Sequence, residues 1–339
     1  MRIPTHADAF EVLLLQAADE GRGPVLFGDC LERARKAARP FMQGKQMPDV
    51  YLEYPLLGDP FLDLTILYGN MDPNTRVDSP IAEGTDDMLS WFAEERDRDV
   101  SICCGFELDT KHAELPVAAI HFQPRSRIEL VAPFCEKVGE PERAELYHEL
   151  ANRLPESWQP SFFGMFRGRP GSPLRVCGYL SEEEKEQCLD PRHLAHVFDQ
   201  AGFEAYDKHM LDQTVKLVAA TPGSIDYQFD IYPDRTLGTT FAFDAQFAIQ
   251  QPEAVISSFE NGPAAPVMKL LEEWGIADSR WKLGVQSAFA RALPVKHPDG
   301  KPDRFGFTLM PQWVKVRWTD GVLQPSKLYN LGNAKLLGD

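Results

Sequence analysis

Residues 224–248 read SIDYQFDIYPDRTLGTTFAFDAQFA, and the fold prediction starts from this segment. Apolar and polar residues alternate on both sides of the Pro233-Asp234-Arg235 segment, which is the pattern of two antiparallel strands joined by a tight turn. One face of the first strand carries Ile225, Tyr227, Phe229 and Ile231, and the other carries Asp226, Gln228, Asp230 and Tyr232. The hairpin therefore has one face suited to packing and one suited to polar contacts.

The same alternation recurs along the chain. Strand pairs are predicted at 50–56 with 61–69, 99–108 with 116–122, 160–167 with 173–180, 224–232 with 236–248, and 280–291 with 304–310. Helical spacing predicts helices at 8–20, 29–43, 85–96, 141–154, 191–201, 205–220 and 264–274. The tail adds strands at 313–318 and 322–330 around an Asp320-Gly321 turn.

Hairpins that are joined by helices can close an antiparallel sheet and so remove its exposed edges. The sequence therefore predicts an α+β fold, a ten-stranded antiparallel barrel of repeated ββα units with helices outside, in one domain over residues 1–339. Two separate α+β sandwich domains are the alternative. Residues 50–69 and 226–244 also resemble each other, which is compatible with an internal duplication whose halves are about 1–180 and 181–339.

Composition and motifs exclude several classes of protein. Thirty-five Lys and Arg against 51 Asp and Glu give a net charge of −16, which argues against nucleic acid as a partner. We expect a cytoplasmic protein with reduced thiols and no membrane partner, because the sequence shows no secretory signal, no long apolar run and no C-x-x-C pair. Nucleotide-binding and nucleophile-elbow motifs are missing, and His148-Glu149 lacks the second histidine of a zinc protease. His193 and His196 share a helix face, but the sequence identifies no ligand partner for them.

The polar strand faces would converge inside a barrel. The lumen would then hold Glu53, Asp63, Glu107, Asp226, Asp230 and Asp244 beside Arg175, Lys282, Lys315 and Arg317, with His121, Tyr179 and Tyr232. Enclosing so many opposed charges is costly without water, a metal or an ionic ligand. A ligand-binding cavity is therefore predicted; in an ordinary open sheet the same faces would simply meet solvent.

Five strand pairs separated by helices, with a polar lumen, resemble the ABBA-type aromatic prenyltransferases over about residues 8–318. The resemblance implies transfer of a prenyl group from an allylic diphosphate to an aromatic acceptor, with these two small molecules as partners. It implies that Arg, Lys and Tyr side chains hold the diphosphate. The matching positions are Arg175, Tyr179, Lys282, Lys315, Arg317 and the Lys327-x-Tyr329 pair, with His121 and Tyr232 also assigned to substrate binding. Glu53, on the first strand, matches the carboxylate that binds the acceptor and is the candidate catalytic residue.

The sequence departs from that family in two respects. Carboxylates outnumber cations in the predicted lumen, which is unfavourable for an anion unless Mg²⁺ joins it. No cofactor is otherwise required. The connections 69–99 and 122–160 each show one clear helix instead of a pair.

Two other functions are also compatible with this sequence. A non-catalytic ligand-binding or scaffold barrel would balance its carboxylates with internal Arg and Lys. A divalent-metal enzyme would instead use Asp226, Asp230 and Asp244.

Overall fold

A computed structural model describes residues 6–39, 48–68, 85–95, 100–108, 117–125, 127–296 and 302–337. The helices are α1 (His6–Ala17), α2 (Arg22–Phe27), α3 (Leu31–Ala38), α4 (Thr85–Glu95), α5 (Val131–Lys137), α6 (Glu142–Arg153), α7 (Glu182–Gln187), α8 (Pro191–Ala201), α9 (Lys208–Ala220), α10 (Val255–Glu260), α11 (Ala265–Glu273) and α12 (Arg280–Gln286). The strands are β1 (Asp49–Pro55), β2 (Asp63–Tyr68), β3 (Ser101–Phe106), β4 (Ala119–Gln123), β5 (Phe162–Met165), β6 (Leu174–Tyr179), β7 (Ile225–Ile231), β8 (Leu237–Gln246), β9 (Phe289–Lys296), β10 (Pro302–Thr319), β11 (Val322–Leu323) and β12 (Lys327–Leu337).

Ten of these strands form a closed antiparallel barrel. The ring runs β1 to β8 in order, then through β10 and β12 back to β1. It closes where β8 pairs with β10, from Gln246 opposite Trp313 to Thr240 opposite Thr319, and where β12 pairs with β1. β9 and β11 lie outside the ring, each paired with β10. The predicted α+β barrel of ten antiparallel strands is confirmed, and the alternative of two separate sandwich domains is wrong because one ring takes strands from both halves of the chain.

The apolar strand faces point outward and are covered by helices. Phe198 of α8 packs against Phe241 of β8 with ring centroids 4.8 Å apart, and Leu194 and Val197 of the same helix are fully buried. Every residue of β7 is buried, including Asp226 and Asp230 on its other face. That polar face is therefore enclosed in the lumen and does not meet open solvent.

The fifth strand pair differs from the prediction. Residues 280–286 form α12, and the fifth pair of the ring is β10 with β12. The heptapeptide RWKLGVQ fits both periods, because Trp281 and Val285 are one helical turn apart as well as on one face of a strand. Segments 304–310 and 313–318 form one strand, β10, whose register shifts between Pro311 and Trp313; a bulge of this kind accommodates a proline inside a sheet.

Two further differences concern the helices. The helix predicted at 29–43 is described only as α3, because residues 40–47 lie outside the described part of the chain. The connection between β4 and β5 carries two helices, α5 and α6, so the single helix expected at 122–160 was wrong. Most of the 69–99 connection lies outside the described residues. In the described ranges, no helix has the length and hydropathy needed to cross a membrane.

Candidate functional site

The lumen contains a cavity of about 210 Å³, far above the roughly 10–15 Å³ that one water needs. Six predicted site residues line it: Glu53, His121, Arg175, Tyr179, Lys315 and Arg317. All six predicted lumenal carboxylates line it too. The strand alternation therefore predicts the content of the cavity well.

Lys282 and Tyr232 lie elsewhere. Lys282 is an exposed residue of α12, outside the barrel, with its Nζ 5.5 Å from the ring centroid of Trp281. Its predicted lumenal position was wrong because the segment is a helix. Tyr232 follows the last residue of β7 and enters the hairpin turn, where its ring lies against Gly171 and Gly238.

Four cations gather at one end of the barrel, which we call the hairpin end because the β5–β6, β7–β8 and β10–β12 turns lie there. Arg169 lies in the β5–β6 turn, Arg175 near the start of β6, Arg317 near the end of β10, and Lys327 at the start of β12. All four line the cavity. This end is therefore the part of the lumen best suited to an anion.

Three of these cations are paired with carboxylates. Arg175 donates from Nε and Nη2 to the two oxygens of Asp230 at 2.8 and 3.0 Å. Arg169 donates from Nε to Glu107 at 2.9 Å, and Lys327 donates to Asp63. Both guanidinium groups lie over the ring of Phe166, with the Cζ atoms of Arg169 and Arg175 lying 3.9 and 4.6 Å from the ring centroid. Cation–π contact and ion pairing together fix both arginines in position.

Arg317 differs from the others. Among the described residues, no carboxylate lies within ion-pair distance of it, and its partner in the β8 register is Ala242. Burial lowers the pKa of Arg317, and the nearby charges of Arg175 and Arg169 lower it further. An anion bound at this point would relieve that repulsion.

The middle of the cavity holds a lysine and two carboxylates. Lys315 Nζ lies 3.7 Å from Asp244, which also accepts a hydrogen bond of 2.6 Å from Gln228. Burial raises the pKa of Asp244 to about 6, although Lys315 opposes this, and burial lowers the pKa of Lys315. Glu53 accepts a 2.7 Å hydrogen bond from the Thr65 hydroxyl. Glu53 therefore keeps acceptor capacity for a polar group of a ligand.

His121 occupies a gap between two glycines. It lies opposite Gly164 of β5, and Gly105 of β3 is near its Nε2, so a Cβ at either glycine would crowd the ring. Burial lowers the pKa of His121 to about 3, assisted by Arg175 and Lys315. The imidazole is therefore neutral at physiological pH and can both donate and accept a hydrogen bond.

Aromatic rings line the cavity wall between Glu53 and the end of the barrel opposite the hairpin end. Tyr51 and Trp313 have ring centroids 4.7 Å apart, and Trp313 stacks on Tyr329 at 5.1 Å. Lys315 Nζ lies 5.0 Å from the Tyr329 ring centroid. Such faces stabilise a cation and exclude water from it.

The opposite end, which we call the helix end because the strands are joined there through helices, contains Tyr179. Tyr179 is 42% exposed, packs against Phe162 at 5.5 Å and accepts a 3.0 Å hydrogen bond from Gln123. The cavity therefore opens to solvent beside Tyr179. Asp226 lies at this end with Gln246 as a donor at 3.2 Å, and burial together with Asp244 raises its pKa well above the usual range.

The three aspartates of the metal-enzyme alternative do not form one site. Asp230 forms an ion pair with Arg175, whereas Asp226 and Asp244 are cross-strand neighbours. Within the described ranges, the side chains with metal-ligand spacing are Glu184, Cys188 and His193, which lie outside the strands that carry these aspartates.

Solved structures share this barrel. The 5-dimethylallyltryptophan synthase from Streptomyces coelicolor matches with a TM-score of 0.55 and 11% identity over 97% of each chain. The prenyltransferase PriB in its apo form matches with a TM-score of 0.55 and 10% identity over 98% of this chain and 96% of that one. The chain has the ABBA-type prenyltransferase fold. A PriB complex with L-tryptophan and dimethylallyl thiolodiphosphate also matches, with a TM-score of 0.52 and 9% identity over 97% and 96% of the chains. At such identities the likeness establishes the fold alone, and no family model or curated protein sequence matches the chain.

Sequence reasoning missed several side chains of this cavity, among them Arg169, Tyr51 and Trp313. Arg169 lies in a turn, so strand alternation gives no signal for it. Tyr51 shares a strand face with Glu53, and this spacing was available in the sequence. Trp313 shares a strand face with Lys315 and Arg317, so its place was also available from the spacing. It lines the cavity beside Lys327 and Tyr329, the pair that the family resemblance had singled out.

Proposed function

We propose that the protein is an aromatic prenyltransferase that moves a prenyl group from an allylic diphosphate to an aromatic acceptor inside the barrel. The observation that supports this most directly is Arg317, which lacks a carboxylate partner among the described residues and lies within the electrostatic reach of Arg169 and Arg175. A diphosphate at the hairpin end would receive charge-assisted hydrogen bonds from Arg317 and Lys327. Binding of dimethylallyl thiolodiphosphate and tryptophan by a protein of the same fold supports the choice of ligands.

In the proposed reaction the diphosphate lies at the hairpin end of the cavity and the acceptor lies beside Glu53. The allylic C–O bond breaks, and the diphosphate leaves with the electron pair toward the hairpin end, where cations stabilise the departing charge. Tyr51, Trp313 and Tyr329 shield the allylic cation from water. The acceptor ring attacks this cation with a pair of its π electrons while Glu53 accepts a hydrogen bond from the acceptor. The ring then becomes aromatic again by transferring a proton to the Glu53 carboxylate.

Ligand-induced thermal stabilisation tests the proposal. Dimethylallyl, geranyl and farnesyl thiolodiphosphates are compared with inorganic pyrophosphate, with and without Mg²⁺. A ligand at about 100 times its Kd adds about 2.7 kcal/mol to the folded state. We expect a shift that is selective for one prenyl length, followed by a prenylated product on a mass spectrum when the natural diphosphate and tryptophan or a phenolic acceptor are supplied. The same result in the Lys282→Ala control and a reduced shift in Arg317→Ala would assign binding to the cavity.

A second candidate rests on the charge pairing. Four of the five cavity cations lie near a carboxylate: Arg175, Arg169, Lys327 and Lys315. This balance favours a non-catalytic barrel that binds an ionic molecule. A thermal shift without product, for every prenyl donor and acceptor supplied, would support this candidate over the transferase.

A further inference from the structure

A glutamate, a cysteine and a histidine meet outside the barrel. Glu184 lies on α7, Cys188 follows that helix, and His193 lies in the first turn of α8. Their ligand atoms all lie within 4.8 Å of one another. None of the three lines the barrel cavity.

The local sequence explains why they meet. Glu184 and Cys188 are four residues apart, so their side chains project from the same side of one helical turn. Asp190 caps α8 through the backbone N–H of Arg192, and Pro191 begins the helix. This tight connection turns the chain back so that His193 faces α7. His196, the other histidine of the predicted helix face, is exposed and is not part of the cluster.

One carboxylate oxygen of Glu184 lacks a hydrogen-bond partner among the described residues. The residue is 1% exposed, and its Oε1 lies 2.5 Å from His193 Nε2 while also accepting from Trp158 Nε1. Its Oε2 is buried without a hydrogen-bond partner among the described residues. A buried carboxylate oxygen left unpaired is costly.

We infer that Glu184, Cys188 and His193 bind a zinc ion, with water or another small ligand at the fourth position. Thiolate, imidazole and carboxylate together form a donor set suited to zinc, whereas magnesium and calcium take oxygen ligands. Zinc would also neutralise the buried carboxylate. The side chain of His193 is 23% exposed, so the ion has a route from solvent and room for a fourth ligand.

The site is joined to the barrel wall. Trp158, which donates to Glu184, packs on Tyr227 of β7 at 4.7 Å, and the Tyr227 hydroxyl donates to the Trp158 carbonyl oxygen. The ion would therefore tie α7 and α8 to the outer face of the barrel.

Cobalt substitution of the full chain tests the inference. Metal-free protein titrated with Co²⁺ should show a thiolate-to-cobalt charge-transfer band and the visible bands of tetrahedral cobalt, saturating at one ion per chain, and Zn²⁺ should abolish both. Cys188→Ser should lose the charge-transfer band. Cys135→Ser is the matched control because Cys135 is also buried but lies outside the cluster, and it should keep the band. His193→Gln should weaken the affinity for Co²⁺ about tenfold or more.

X-ray absorption at the zinc edge of the wild-type protein needs no variant. One sulfur and two or three lighter ligands around zinc would support the site. No stoichiometric zinc, no sulfur neighbour, or a charge-transfer band that persists in Cys188→Ser would overturn it. Because the cluster lies outside the cavity, these results are independent of the outcome for prenyl transfer.

Discussion

Arg175 and Arg317 both line the hairpin end, but removing them has different consequences. Arg175 and Asp230 form a buried ion pair, with side chains 10% and 9% exposed. Arg175→Ala leaves Asp230 charged and buried, which costs about 3–5 kcal/mol. The variant should therefore melt well below the wild type, as measured by calorimetry. Arg175→Met combined with Asp230→Leu removes both charges and should recover most of the loss; a double variant as unstable as the single one would contradict this explanation.

Arg317→Ala should act on binding and leave stability nearly unchanged. No partner among the described residues is left unpaired, so the free energy of unfolding should change by less than about 1 kcal/mol. Loss of a charge-assisted hydrogen bond of about 1.5–3 kcal/mol weakens binding roughly ten- to a hundredfold. Calorimetric titration with a thiolodiphosphate measures this change. Unaltered affinity in Arg317→Ala, with Lys282→Ala as the reference, would place the anion elsewhere.

Asp244 should make stability depend on pH. Its pKa is about 6 in the folded protein, against about 3.9 in an unfolded chain. Between about pH 4 and 6 the folded state holds the proton more strongly, so this group's contribution to stability is complete below that range and is lost as the pH rises through it. Asp244→Asn should remove this decline from urea-unfolding curves. The comparison uses the slope of the free energy of unfolding against pH, because losing the contact with Lys315 also changes the stability itself. Equal slopes in Asp244→Asn and the wild type would refute the assignment.

Helix α12 occupies a segment whose sequence pattern is compatible with both a strand and a helix. Its alternation fitted a strand, and only packing decides between the two periods: Trp281, Gly284 and Val285 are buried at helical spacing. By contrast, α8 was predicted with its exact bounds because Asp190-Pro191 and Gly202 mark both ends. Strand faces predicted which carboxylates enter the cavity. They did not predict the pairing of Arg175 with Asp230, since cross-strand register depends on the closed ring.

Gly284 lies where α12 packs against the barrel. A Cβ at this position would overlap the Tyr54 hydroxyl and lie 2.9 Å from a methyl group of Leu328. Alanine normally favours a helix over glycine by about 1 kcal/mol. Here we expect Gly284→Ala to destabilise the protein by about 1–3 kcal/mol through overpacking.

Chemical denaturation measures the effect of Gly284→Ala. Lys282→Ala, on the exposed side of the same helix, should change stability by no more than about 0.5 kcal/mol. A stabilised Gly284→Ala protein would mean that α12 can move away from Tyr54.

The closed ring of strands depends on β12. This strand pairs with β1 on one side and β10 on the other. A fragment ending at residue 325 should therefore show no cooperative unfolding transition, because two strands lose a partner. A peptide of residues 326–339 should restore the transition, and a scrambled peptide should not. Cooperative unfolding of the fragment alone would show that the ring can close without β12.

The internal duplication stays a prediction. The ring runs through both proposed halves without a break, from β6 directly to β7. The hairpins β1–β2 and β7–β8 that suggested it hold equivalent places in the barrel. Such equivalence is a property of any barrel built from repeated hairpins.

The pairing of β1 with β12 also bears on how the protein is made. β1 begins at Asp49 and β12 at Lys327, and ribosomes add roughly 5–20 residues per second. The first strand therefore leaves the ribosome many seconds before the strand that completes its hydrogen bonding. During that interval the nascent chain carries an open sheet edge, the kind of surface that pairs with other chains. Protection of that edge during synthesis, by a chaperone or by the N-terminal helices, would then govern the yield of folded protein.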